Sequence, residues 1–169
     1  MTDARPRLAR YRVRLGFVTA AAVLWLARPT LGSLAIGGAI AVVGEAIRIW
    51  AAGHLDKGRE VTASGPYRVT RHPLYLGSCV MGVGLAIASR SWIVWVIVLA
   101  YLGFTVTAAI RSEEGHLTEK FGSAYPAYRD GRIVDAQRRF TAARVMANRE
   151  YRAMLGLAAA LALLALKAL

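Results

Sequence analysis

"WIVWVIVLAYLGFTVTAAI", residues 92–110, runs for 19 residues without a charged side chain. A helix needs about 20 such residues to cross a hydrocarbon core. Laid out at a helical period, the stretch has no polar face, which excludes the amphipathic helix of a soluble bundle. Four more apolar blocks flank it: Leu15–Ala27, Leu31–Ile47, Tyr75–Ala88 and Met154–Leu166. Three of these are short, but the Arg and Tyr at their ends can snorkel and lengthen the effective span. Hydrophobic residues make up 56% of the chain, more than a soluble domain of this length needs for its core. The expected fold class is therefore all-α: a polytopic membrane protein with about five transmembrane helices, in a single domain over residues 1–169.

The placement of charge sets the expected orientation. The net charge is +12. With the N-terminus in the cytoplasm and five crossings, Arg5, Arg7, Arg10, Arg12, Arg14, Arg48, Lys57, Arg59, Arg68 and Arg71 all lie inside. So do the nine basic residues of segment 111–152, whereas only Arg28, Arg90 and Lys167 fall outside. That bias follows the positive-inside rule and explains the basic balance by attraction to the inner leaflet. Nucleic-acid binding, which wants basic and aromatic residues on a soluble surface, is not expected. The basic N-terminus followed by an apolar run has the outline of a signal peptide. The next span begins within a few residues, however, and the charge balance needs the first span, so the expected arrangement is a retained hairpin. Cys79 is the single cysteine, which rules out an internal disulfide or a cysteine metal cluster. No metal site is expected.

The links "RPT" and "SRS" are so short that spans one and two, and spans three and four, are expected as two antiparallel hairpins lying side by side. Small residues punctuate the second span (Gly32, Gly37, Gly38, Gly44) and the third (Gly77, Ser78, Gly82, Gly84). In lipid these allow close helix approach, and packing is their expected role. Gly77 lies beside a polar collar and is set apart for that reason.

That collar is "SGPYRVTRHPLYLG", residues 64–77. Gly65-Pro66 makes a turn, Pro73 suits a first helical turn, and His72 before it is pushed towards an extended conformation. Arg71 and His72 at a helix mouth favour an anionic group there. Tyr67 and Tyr75 add rings and hydroxyls. A second polar stretch, "RSEEGHLTEKFGSAYPAY" at 111–128, follows directly on the long apolar run. Glu113 and Glu114 at the end of a span are costly unless paired or solvated. As helical neighbours they point about 100° apart, so one can face a site while the other does not. Tyr125 and Tyr128 share one side. An ordinary interfacial helix would also account for this stretch. From composition alone, the two stretches suit a zwitterion with an aromatic end.

The pairing of "GPYRVTRHPLYLG" with "EEGHLTEKFGSAYPAY", in that order and spacing, resembles the integral membrane methyltransferases. This family includes the isoprenylcysteine carboxyl methyltransferases and the phospholipid methyltransferases. "RIWAAGHL" at 48–55 is similar to a further family segment, and the likeness covers roughly residues 40–130. It implies S-adenosylmethionine as methyl donor and an integral protein of a plasma (bacterial-type inner) membrane with its site facing the cytoplasm. It implies a cofactor pocket of Tyr67, Arg71, His72, Pro73, Tyr75, Gly77, Glu113, Glu114, Tyr125 and Tyr128, with Arg71, His72 and Glu114 in catalytic roles. The acceptor it implies is lipophilic: an isoprenylcysteine-like carboxylate, a phospholipid amine or a small hydrophobic metabolite. Where the family often carries a basic, proline-containing run, this chain has "RDGRIVDAQRRF" without proline. Two other readings stand beside this one: an NADPH-dependent enzyme of the sterol-reductase type, and a non-enzymatic helical membrane protein packing on a partner. Glu45 and Arg48, one helical turn apart, read as a structural ion pair.

Overall fold

The computed structural model describes residues 5–132 and 138–169, with side chains from Gly16 onward. Residues 133–137 of the proline-free run lie outside the described residues, as do the side chains of Arg5, Arg7, Arg10, Arg12 and Arg14. The described chain is helical throughout its regular structure: α1 (Arg5–Leu26), α2 (Leu31–His54), α3 (Pro73–Ser89), α4 (Trp92–Phe121), α5 (Ala124–Arg129), α6 (Ala142–Ala147) and α7 (Tyr151–Ala168). A single 3-10 turn, Gly65–Arg68, interrupts the connection between α2 and α3. Three helices, α2, α4 and α7, are long and apolar enough to cross a membrane; Gly16–Leu26 and α3 are shorter apolar helices. The chain is an all-α polytopic membrane protein.

Two helices run further than their apolar stretches. The second span continues as helix to His54 and the fourth to Phe121. At 1.5 Å per residue the 30 residues of α4 extend about 45 Å, more than a hydrocarbon core of about 30 Å can hold. The last three turns, from Arg111 on, therefore project beyond the span as a polar extension. Thr30 starts α2 with a capping box: the Ser33 amide donates to Thr30 Oγ1 at 3.3 Å and the Thr30 amide to Ser33 Oγ at 2.9 Å.

The packing keeps the expected α3–α4 hairpin but not the α1–α2 one. The tightest seam joins α2 to α3, across the two predicted hairpins, and α1 packs on α4 rather than along α2. Glycine decides this. Gly37, Ala41 and Gly44 form a stripe on α2 that meets Gly77, Met81, Gly84 and Ala88 on α3. A Cβ on Gly37 would lie 2.4 Å from the Gly84 carbonyl oxygen, and one on Gly44 would lie 2.7 Å from that of Gly77. Backbones this close exclude side chains and gain dispersion contact along the whole seam. Link length constrains only which ends are joined, whereas the surfaces choose the neighbours.

The two ends of the bundle differ. At one, Lys167 donates to the carbonyls of Leu24, Trp25 and Ala27, and the Arg28 amide donates to the Ser89 carbonyl at 2.8 Å. Arg28, Arg90 and Lys167 thus share this end. At the other, the last carbonyls of α2 are satisfied from the segment before α7. Asn148 Nδ2 donates to Ala52 and Leu55 at 2.9 and 3.0 Å, and the Thr141 amide donates to Gly53 at 3.1 Å. The collar, the α4 extension, α5 and α6 all gather here.

Candidate functional site

The site begins with local chain geometry in the collar. Gly65 has φ +54°, and a Cβ there would lie 2.6 Å from the His54 ring, so both the conformation and the space require glycine. The 3-10 turn that follows buries Pro66 and Tyr67. His72 occupies the N-cap position of α3, and Pro73, fully buried, opens the helix. The His72 ring makes no cap hydrogen bond; it turns instead towards α4.

There it meets Glu114. His72 Nε2 lies 3.0 Å from Glu114 Oε1, the Arg71 guanidinium 3.5 Å from the same oxygen, and the Tyr125 hydroxyl donates to it at 3.1 Å. Residues of the collar, α4 and α5 thus converge on one carboxylate oxygen. The anion expected at the mouth of α3 is supplied by the chain itself. The hydrogen bond from His72 comes first in holding the Glu114 carboxyl below its usual range. Partial burial opposes it, while Tyr125 and Arg71 add to it. Burial, with the Glu114 bond behind it, raises the Tyr125 phenol to about 12, so it remains a donor.

The other predicted residues take three places around this group. Tyr67 and Tyr128 are linked, the Tyr128 hydroxyl donating to the Tyr67 carbonyl at 2.7 Å. Both pack with Ala51, Ala63 and Tyr125 in a small buried cluster. Burial pushes the Tyr128 phenol up to about 12 and the Tyr67 phenol upward as well. Tyr75 and Glu113 line a cleft of about 340 Å³ with Lys57, Ser112, His116 and Lys120. Glu113 therefore faces away from the Glu114 group, as adjacent helical residues must. Pro73 and Gly77 shape the backbone: Gly77 lies in the α2–α3 seam, where a Cβ would be 2.6 Å from both the Gly44 carbonyl oxygen and Arg48 Cγ. A smaller cleft of about 210 Å³ is lined by Tyr67, Arg71 and Tyr128.

Two features were not read from the sequence. The first is Glu150, which precedes α7. Arg48 is within 3.6 Å of Glu45, but its closer partner is Glu150, at 2.6 Å and 102 residues away. The guanidinium also reaches Ser78 and the Leu74 carbonyl, tying α2, α3 and α7 together. Both Glu45 carboxylate oxygens are buried without a hydrogen-bond partner. A lone carboxylate ahead of an apolar run was the available signal. The second is a cavity of about 290 Å³, almost wholly apolar, lined by α1, α3, α4 and α7. Val23, Met81, Leu85, Val98 and Leu102 line it, and Ser78, hydrogen-bonded to the Leu74 carbonyl at 2.9 Å, lies on its collar side. Nothing in the periodicity of separate spans marks a space that four of them share. Among the described residues, no three His, Cys, Asp or Glu side chains come together as a metal-ligand group.

The chain is similar to two curated proteins. It is 32% identical to the nickel-cobalt-cadmium resistance protein NccN of Alcaligenes xylosoxydans xylosoxydans over 99 residues, 57% of this chain and 45% of that protein. It is 28% identical to the cobalt-zinc-cadmium resistance protein CzcN of Cupriavidus metallidurans over 127 residues, 69% of this chain and 57% of that one. The chain thus spans about half the length of the curated relatives it matches. No solved structure matches it. The phospholipid methyltransferase family matches residues 29–124, which take in the α2–α3 seam, the collar, and Glu113 and Glu114 on α4. With more than half of its length in that match, the chain belongs to the phospholipid methyltransferase family.

Proposed function

We propose that this protein transfers a methyl group from S-adenosylmethionine to a lipophilic acceptor at the cytoplasmic membrane face. The observation that carries the reading is the convergence of Arg71, His72 and Tyr125 on Glu114 in a chain of this family. The residues present fit the donor. The adjoining cleft of about 340 Å³ is within the range of small-molecule sites and offers what a zwitterionic nucleoside needs. Lys57 and Lys120 suit its carboxylate, Glu113 its ammonium or ribose hydroxyls, and the Tyr75 ring its base or sulfonium. When bound, the donor supplies an already activated methyl group.

The chain's own contribution is alignment and charge. Proximity and orientation account for several orders of magnitude in displacement reactions of this kind. Glu114 fixes the His72 ring by its Nε2; with that nitrogen donating, Nδ1 carries the lone pair. An amine acceptor must release a proton before it attacks, and an imidazole with a free Nδ1 lone pair is a group of the right basicity to take it. A carboxylate acceptor needs no base, and His72 then serves only to position. The apolar cavity between α1, α3, α4 and α7 suits the hydrocarbon part of the acceptor.

The test is calorimetric titration of the detergent-purified protein with S-adenosylhomocysteine and, separately, with NADPH. Micromolar binding of the first, lost in both His72→Ala and Glu114→Ala, is the expected result. Binding of NADPH alone would move the protein to reductase chemistry. Binding of neither by folded protein would leave the Glu114 group as structure.

A further inference from the structure

We propose that the cleft between the turn after α2 and the α6 helix binds the phosphate of an anionic lipid headgroup. This site shares Lys57 with the cleft offered to the methyl donor, but its other cations, Arg59, Arg144 and Arg149, lie outside that cleft, and the inference does not rest on the methyl-transfer reading. The cleft has a volume of about 750 Å³, and its wall carries Lys57, Arg59, Arg144 and Arg149 against a single carboxylate, Asp56. Asp56 is already engaged by Arg59 at 3.9 Å and Arg138 at 3.8 Å. Among the described residues, Lys57, Arg144 and Arg149 have no carboxylate within ion-pair distance. Three cations thus face one space whose one carboxylate, Asp56, is already shared by Arg59 and Arg138, an arrangement that like-charge repulsion opposes unless an anion enters.

The wall is built rather than incidental. Arg144 donates to the carbonyls of Gly53 and Arg139, and Asn148 to those of Ala52 and Leu55, which pins α6 to the end of α2. Arg149 holds the left-handed conformation, φ +59°, one of two non-glycine residues in the described chain to do so. Such conformations are costly for any residue with a Cβ and concentrate at functional positions. Guanidinium groups match phosphate oxygens in number and geometry.

Depth selects the source. The apolar stretch of α2 ends at Ile47 and that of α7 begins at Met154, so Leu55 and Arg149 lie a few residues outside the hydrocarbon, in the layer of the lipid headgroups. Trp50, partly exposed on the last turn but one of α2, and Tyr151 are the aromatic residues expected at that level. Lipid phosphates lie at the same depth, whereas a soluble phosphate has no reason to prefer it.

The experiment titrates the full-length protein in neutral detergent with short-chain phosphatidylglycerol, short-chain phosphatidylcholine and glycerol phosphate, reading thermal stabilisation. Saturable stabilisation by phosphatidylglycerol, little by phosphatidylcholine, and a half-saturation point raised roughly tenfold or more in Lys57→Gln/Arg149→Gln are expected. The single variant Lys57→Gln, at an exposed side chain, guards against misfolding and should show a smaller shift in the same direction. Arg111→Gln/Arg152→Gln, which removes two exposed cations outside the cleft, should leave the half-saturation point unchanged. Equal affinity for glycerol phosphate would overturn the lipid source. Binding that is absent, or weakened equally by the control pair, would overturn the site.

Discussion

Glu114 is the residue on which the candidate site turns, and its ionisation can be followed. Because its carboxyl is held below the ordinary 4.5, chiefly by the His72 hydrogen bond, the folded state favours the ionised form. A depressed carboxyl contributes stability that is complete above the unfolded-state pKa and is lost as pH falls through the folded-state value. The melting temperature of Glu114→Gln should therefore lie below that of wild type at neutral pH, with the gap closing only below about pH 4.5, in a scan in detergent. Tyr125→Phe should lower stability by about 1 kcal/mol, the usual net contribution of one hydrogen bond, and so should Tyr128→Phe. The Arg48 cluster makes a prediction of opposite signs for two glutamates. Glu150→Ala leaves Arg48 without its 2.6 Å partner and should cost about 3–5 kcal/mol. Glu45→Gln removes a buried carboxylate that makes no hydrogen bond, is 3.6 Å from Arg48 and is repelled by Glu150, and should be near-neutral or stabilising by about 1 kcal/mol. Chemical denaturation of the purified variants distinguishes these outcomes. The sequence reading paired Arg48 with Glu45 because one helical turn is all that spacing can see; the partner 102 residues away is visible only in the fold.

At the scale of the element, the α2–α3 seam carries the collar and the Arg48 cluster on one rigid pair of helices. Gly37→Leu or Gly84→Leu places atoms where backbone already lies within 2.4 Å, and should abolish accumulation of folded protein. Gly103→Ala and Gly156→Ala, with nothing within 4 Å of the added carbon, should be tolerated or raise the melting temperature. Comparative thermal scans in detergent would decide both. The glycines were legible in the sequence as packing residues, but which helices they joined was not. Short links suggested hairpin partners, yet complementary backbones outweighed the connections. Helix ends were legible where chemistry marks them, as at Pro73, which starts α3. The continuation of α4 through Glu113 and Glu114 was legible as well, but its break at Gly122, which sets Tyr125 and Tyr128 on a separate short helix, was not.

For the whole molecule, the charge distribution makes the remaining prediction. With Cys79 replaced by alanine, single cysteines at Arg90 and Arg132 should react with an impermeant thiol reagent from opposite sides of the membrane, Arg132 from the cytoplasm. Reaction of both from one side would discard the five-span orientation. The sequence by itself determined the fold class, the number of apolar helices, the bias of charge to one end and the residue types of the site. These are properties of hydrophobicity, charge and local backbone chemistry, which act over a few residues and need no partner. Only the tertiary structure decided that four of the ten predicted residues share one carboxylate oxygen while Tyr75 and Glu113 line a separate cleft. It alone created the apolar cavity and the basic cleft, and it alone brought Glu150 to Arg48. Each of these depends on distances between segments far apart in the chain, and those distances follow from which helix surfaces approach most closely, which no single segment encodes.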